Sequence, residues 1–253
     1  MRVICDTNIW YKIGSGKIKK SDFKNASLVA TWNNLFEIGN SENLYKSPIK
    51  VKQACSALIE FATAKIFTHP IDYVANIYTP SFDPDRSEGE YMYDEMIKVN
   101  SMIDDDIQKQ VQENTKVIKA NVDNIRRGIG DAVQIFNDEA QKINDNIRQT
   151  TGKLAHRKTN ALPSAAQFIS TLILTKTGLD ITLNNLSPIS LFTETMSLFF
   201  KDLELGHRKM QVNDWIDLLN LIYVRDGDLY WTFEKKWLLY IKAAGFENLI
   251  FNP

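Results

Sequence analysis

The first six residues constrain this chain more than any other feature. Val3, Ile4 and Cys5 are apolar in succession rather than in alternation, and Asp6 ends the run. A strand with no polar alternation is buried on both faces, the condition of a parallel sheet covered by helices on each side. An acid at the end of such a strand lies at the mouth of the sheet, where open α/β folds bind ligands. Thr7 or Asn8 then supplies a cap for a helix through Trp10 and Tyr11.

The same alternation recurs along both ends of the chain. Residues 27–31 are predicted as a second strand, and a helix follows from Asn33 through Ile38. Pro48 stands near the first position of a further helix through Leu58, Ile59 and Phe61, and residues 78–85, with Pro80 and Pro84, form a turn-rich boundary. Residues 212–224 read as a helix with Asn213 or Asp214 in its cap region. Residues 228–231 read as a strand, 235–244 as a helix stopped by Gly245, and 248–251 as a last strand. Strands and helices alternating in this way predict an α/β fold with a central parallel sheet between helical layers.

The middle has a different character. Met92, Met96, Val99, Ile103, Ile107, Val111, Ile118, Val122, Ile125, Ile129, Val133, Phe136, Ala140, Ile143 and Ile147 recur every three or four positions among Asn, Gln, Asp and Lys. This spacing predicts long amphipathic helices, interrupted or kinked around Gly128 and Gly130. Residues 164–175 and 187–204 also read as helical. The expected organisation is therefore a discontinuous α/β domain, 1–85 and 206–253, carrying a helical insertion at 86–205. The apolar stripe would serve as an internal seam, or as a surface for a protein inhibitor or a second copy of the chain.

At 253 residues the chain can bury a sizeable core unaided, and a net charge of −1 gives no global nucleic-acid footprint. Cys5 and Cys55 are too few for a disulfide framework and read as reduced core thiols of a cytoplasmic protein. Asp6 interrupts the opening too early for a signal peptide, and no apolar run is long enough to span a bilayer. His69, His156 and His207 lack ligand spacing, so any metal or hydrolytic chemistry must lean on carboxylates.

Each acid has a functional and a plainer reading. Glu37, within Leu35, Phe36 and Ile38, is costly among apolar neighbours unless paired or metal-bound, and is otherwise an exposed residue of an amphipathic helix. Asp214 and Asp217 project to one side of a helix one turn apart, or else cap it and complement its dipole. Glu234 lies beyond the C-terminal end of its strand, as Asp6 does, so the two acids can converge. Asp228 begins that strand and reads as a turn residue at the opposite edge, with Asp226 and Gly227.

Together these positions resemble the PIN-domain ribonuclease family. The matching pieces are the opening from Val3 to Asn8, Leu35 to Ile38 after the second strand, Asn213 and Asp214 opening a helix, and Tyr230 to Glu234 with Lys235 and Trp237 behind. The likeness covers residues 1–68 and 212–253. It departs at Glu234, where the family usually carries Asp, and residues 86–205 inherit nothing from it. It implies a three-layer α/β/α PIN-like fold and a catalytic, metal-binding set of Asp6, Glu37, Asp214 and Glu234, with Asp217 as a neighbouring ligand. Thr7, Asn8 and Thr232 would orient those carboxylates or a water. Two carboxylates about 4 Å apart repel by about 4 kcal/mol at an effective dielectric near 20, so such a cluster takes up protons or binds a cation. Oxygen ligands without His or Cys favour Mg²⁺ or Mn²⁺.

The implied activity is a metal-dependent endoribonuclease acting on single-stranded RNA, of which a toxin- or defence-type enzyme held by an inhibitor is one form. Basic residues flank the acids: Lys12, Lys17, Lys19 and Lys20 near the first helix, Arg208 and Lys209 before Asp214, Lys235 and Lys236 beside Glu234. Lys12 and Lys235 are the candidates for phosphate contact, against a plain reading as solvated lysines. Two further readings remain open. One is a catalytically degenerate module that binds RNA or protein through its helical insertion. The other is a helical structural protein whose α/β part is only a scaffold.

Overall fold

A computed structural model describes residues 1–150 and 161–253; His156 lies outside the described residues. β1 (Arg2–Cys5), α1 (Thr7–Gly14) and β2 (Ser27–Thr31) open the chain, followed by α2 (Trp32–Gly39), α3 (Asn43–Lys46), α4 (Pro48–Phe61) and β3 (Ala62–Ile66). Then come α5 (Pro70–Tyr78), α6 (Ser87–Ser101), α7 (Asp104–Thr150), α8 (Ala161–Thr177), α9 (Ser190–Glu204) and α10 (Val212–Asn220). β4 (Asp228–Trp231) and α11 (Lys235–Ala243) close it. The four strands are parallel and ordered β3-β2-β1-β4. The chain thus adds strands on one side of β1 and returns to the other, which makes the C-terminal end of β1 a topological switch point.

The apolar opening works as its pattern predicts. Val3 and Cys5 enter one hydrophobic cluster with Leu28, Ala30 and Trp231, covered by Ile9 and Trp10 of α1 and by Val51, Ala54 and Leu58 of α4. Ile4 enters another with Val29 and Tyr230, covered by Val74 of α5, Phe199 of α9, Leu218 of α10 and Ile241 of α11. Helices therefore bury both faces of the sheet. At the end of α1 the contact is backbone to backbone: a Cβ on Gly14 would stand 2.2 Å from the Gln53 carbonyl oxygen of α4.

Several elements differ from expectation. α1 begins directly after Asp6, so Thr7 and Asn8 are its first residues rather than its cap. β3 was not expected: α4 passes into it at Ala62 with no turn residue between, and its Thr63 and Ala64 are exposed at the sheet edge. The last strand is reduced to a single bridge, Ile250 with Tyr230, reinforced by Phe251 N donating to Tyr230 O at 2.8 Å, because residues 247–249 form a 3-10 turn. At the other end of β4, Gly227 has φ +84°, and Asp228 pairs with Arg2 at 3.6 Å.

The expected interruption at Gly128 and Gly130 does not occur. α7 runs unbroken for 47 residues, about 70 Å at the helical rise, with neither glycine at positive φ. Open space surrounds Gly128, and Gly130 would meet only the Val212 side chain at 3.8 Å, so neither carries a structural reason to break the helix. Of the amphipathic stripe, only Ile103, at the α6–α7 junction, is exposed; the others are buried or half-buried within the chain itself. Asn137 fixes α7 to the segment before α10 in both directions, donating to Met210 O at 3.0 Å and accepting from Met210 N at 2.8 Å. Asn144 donates to Glu204 O at 2.7 Å. Among the described residues no helix is long and apolar enough to cross a membrane.

Candidate metal centre

A cavity of about 550 Å³ opens at the C-terminal ends of β1 and β4 and is walled by α1, α2, α7, α10 and the start of α11. Asp6, Glu37, Asp214, Asp217 and Glu234 all line it, with Arg126 and Lys236 as its basic members. Within it, carboxylate oxygens of Asp6, Glu37 and Asp217 lie within 4.8 Å of one another, an arrangement able to hold a metal ion. Asp6 is buried, and Glu37 and Asp217 are half-buried.

Each of the three acids is oriented by a different element. Thr232, just past β4, donates to Asp6 Oδ2, and Asn8 Nδ2 donates to the same oxygen at 2.6 Å. Thr7 donates to Glu37 Oε2, reaching from the first turn of α1 to the last turn of α2. Asn34 stands behind this pair, donating to Thr7 Oγ1 at 3.1 Å and to Cys5 O at 3.0 Å while accepting from Trp10 Nε1 and Thr31 N. Asn220 also donates to Cys5 O, at 3.2 Å, and accepts from Thr31. Trp237 Nε1 donates to Asp217 Oδ2 at 2.7 Å.

Burial pushes the Asp6 carboxyl up to about 6, against the stabilising hydroxyl of Thr232. Burial, then the charge of Asp6, pushes Glu37 up to about 8. Asp217 is raised well above the usual carboxylate range by burial and by the charges of Asp6 and Glu37, although Trp237 and Lys236 pull it down. These are carboxylates short of positive charge, the state a divalent cation relieves. The donor set is all oxygen, suited to Mg²⁺ or Mn²⁺, and Asn8 Oδ1, beside Asp6, is buried without a hydrogen-bond partner.

The other expected residues take different places. Asp214 accepts from Gln211 N at 3.1 Å, closing the first turn of α10, and its second oxygen is ion-paired with Lys236. It borders the cavity outside the triad, whereas Asp217, one turn on, belongs to it. Glu234 lies at the exposed rim, its backbone N–H donating to Thr232 Oγ1 at 3.0 Å. Lys235 is exposed and lies outside the cavity wall, which Lys236 joins instead. Lys12 places its ammonium 3.6 Å over the Phe233 ring.

The sequence does not single out Asn34, Asn220 or Arg126, and it marks Trp237 only as a matching piece of the resemblance, with no role toward Asp217. Asn34 had a signal, since it is polar, sits in the same apolar stretch as Glu37 and is three residues before it, hence on the same helical face. No comparable signal marks Arg126, which only the course of α7 brings to the cavity. No family model, curated protein or solved structure matches the chain.

Proposed function

We propose that the chain is a Mg²⁺- or Mn²⁺-dependent endoribonuclease of PIN-like architecture that hydrolyses phosphodiester bonds of single-stranded RNA. The observation that carries this reading is the convergence of Asp6, Glu37 and Asp217 at the switch point of the sheet. When bound, a divalent cation supplies water activation and neutralises charge on the leaving oxygen. The protein's part is to hold the carboxylates in place. Thr232 and Asn8 fix the plane of Asp6, Thr7 backed by Asn34 fixes Glu37, and Trp237 fixes Asp217. Glu234 at the rim extends the acidic wall toward substrate. The choice of RNA rests on the resemblance in the segments around these acids.

A second reading, an RNA- or protein-binding module without cleavage, is favoured by one observation. Lys236 neutralises Asp214 inside the cavity, which leaves a smaller anionic set for a cation. Incubation of labelled single-stranded RNA with the protein in Mn²⁺, in EDTA, and with Asp6→Asn protein separates the two. The nuclease reading expects cutting in Mn²⁺ alone, lost with EDTA and with the substitution. Absence of cutting by folded parent protein across several RNAs, with RNA still bound, favours the binding module.

A further inference from the structure

We infer that Arg126, contributed by the long helix α7, is the phosphate-binding residue of this site, and that the slot beside it receives the base of the adjoining nucleotide. The inference rests on the nuclease reading and deepens it. A polyanion approaching five carboxylates needs fixed positive charge, and among the described residues two basic side chains line the cavity. Lys236 is ion-paired with Asp214. Arg126 Nε makes a long ion pair with Glu42 Oε1 at 4.0 Å, while Lys46 holds the other oxygen of that carboxylate; the contact uses Nε, which leaves the two terminal nitrogens of the guanidinium for a ligand. Its planar fork suits two oxygens of one phosphate.

Arg126 also borders a second hollow of about 90 Å³, which shares Glu37, Val212 and Asn213 with the acidic cavity. Ile125 and Ile129 of α7, Ile216 of α10 and Phe36 of α2 give this slot apolar walls; Asn213 gives it an amide, and Asn40, whose Nδ2 donates to Phe36 O at 2.8 Å, can offer its carbonyl oxygen. Apolar walls with a few amides suit a nucleobase, which stacks or packs on its faces and hydrogen-bonds at its edge. A nucleotide would then place its phosphate at Arg126, next to the triad, and its base in the slot. Two anchors hold α7 in register for this: Lys52 bonded to Asp104 at 2.8 Å before Arg126, and Asn137 on Met210 after it. The segment that the family resemblance leaves uncovered thereby completes the substrate site.

The test is fluorescence anisotropy of a labelled single-stranded RNA hexamer on the 253-residue chain carrying Asp6→Asn, with and without Arg126→Gln or Arg126→Lys, across a salt series. Arg126→Gln keeps much of the side-chain stem, and an unchanged melting temperature certifies the fold. We expect about tenfold weaker binding and a salt slope smaller by about one, with partial recovery in Arg126→Lys. Asn213→Ala should alter the ranking among A, C, G and U hexamers. In the Asp6-containing protein, Arg126→Gln should raise KM for RNA while leaving the Mn²⁺-induced thermal shift at its parent size. RNA affinity and salt slope indifferent to Arg126 would overturn the inference, whatever the parent's activity. A parent that binds RNA through Arg126 but never cuts it would overturn the nuclease reading and leave this inference standing.

Discussion

Burial holds the Asp6 carboxyl up to about 6 and the Glu37 carboxyl up to about 8, the latter with the charge of Asp6 added. Their ordinary values are 3.8 and 4.5, so between about pH 4 and pH 8 the folded chain binds more protons than the unfolded one. The stability that these two acids contribute to the metal-free protein is therefore fully present below the ordinary values and is lost as pH rises through the folded ones. Melting in EDTA should show a lower Tm at pH 8 than at pH 5.5, and a flat profile would contradict the crowding of these acids. Mn²⁺ competes with the same protons, so its affinity should climb over the same window. Asp6→Asn removes the central repulsion. At pH 8 in EDTA it should raise Tm by roughly 2–4 °C, the effect of about 1 kcal/mol in a chain of this size. It should also abolish the parent's Mn²⁺-induced rise. Of the acids, Asp6 and Glu37 were legible because each interrupts an apolar run. The choice between Asp214 and Asp217 was not, since spacing puts both on one side of a helix. Backbone capping and Lys236 hold Asp214, while Trp237, distant in sequence, holds Asp217.

At the scale of elements, legibility follows contrast between neighbours. β1, β2 and β4 are short apolar runs bounded by polar or turn residues, and each lies where its pattern predicts. β3 has no such contrast, because Ala62, Thr63, Ala64 and Lys65 carry little apolar signal and α4 joins it without a break. Gly128 and Gly130 mislead in the opposite direction. A glycine costs a helix about 1 kcal/mol relative to Ala, which anchored neighbours override. Gly14 is different, since the close approach of α1 to α4 leaves no room for a methyl group. Gly14→Ala should destabilise the fold by about 1–3 kcal/mol in urea titration, whereas Gly128→Ala should be neutral or slightly stabilising. Equal effects of the two would contradict the packing described.

At the scale of the molecule, the sheet and the middle helices share one interior. Val133 and Ala140 of α7 and Ile169 of α8 lie in the same cluster as Ile4, Val29 and Tyr230. Unfolding followed by tryptophan fluorescence and by far-UV circular dichroism should accordingly coincide in one transition; two separated transitions would mean that the middle helices fold independently. This shared packing also explains why the site was only partly legible. The acids arise from the sheet and its flanking helices, where local pattern speaks, but Arg126 reaches them by the path of α7 through the whole structure. The proposed function stands on Asp6, Glu37 and Asp217 holding a divalent cation between them. A crystal grown with Mn²⁺ and measured at a wavelength where manganese scatters anomalously tests it most directly. One anomalous peak is expected among the three carboxylates, absent in Asp6→Asn crystals. A peak only at the rim, beside Asp214 and Glu234, or none at saturating Mn²⁺, would contradict it.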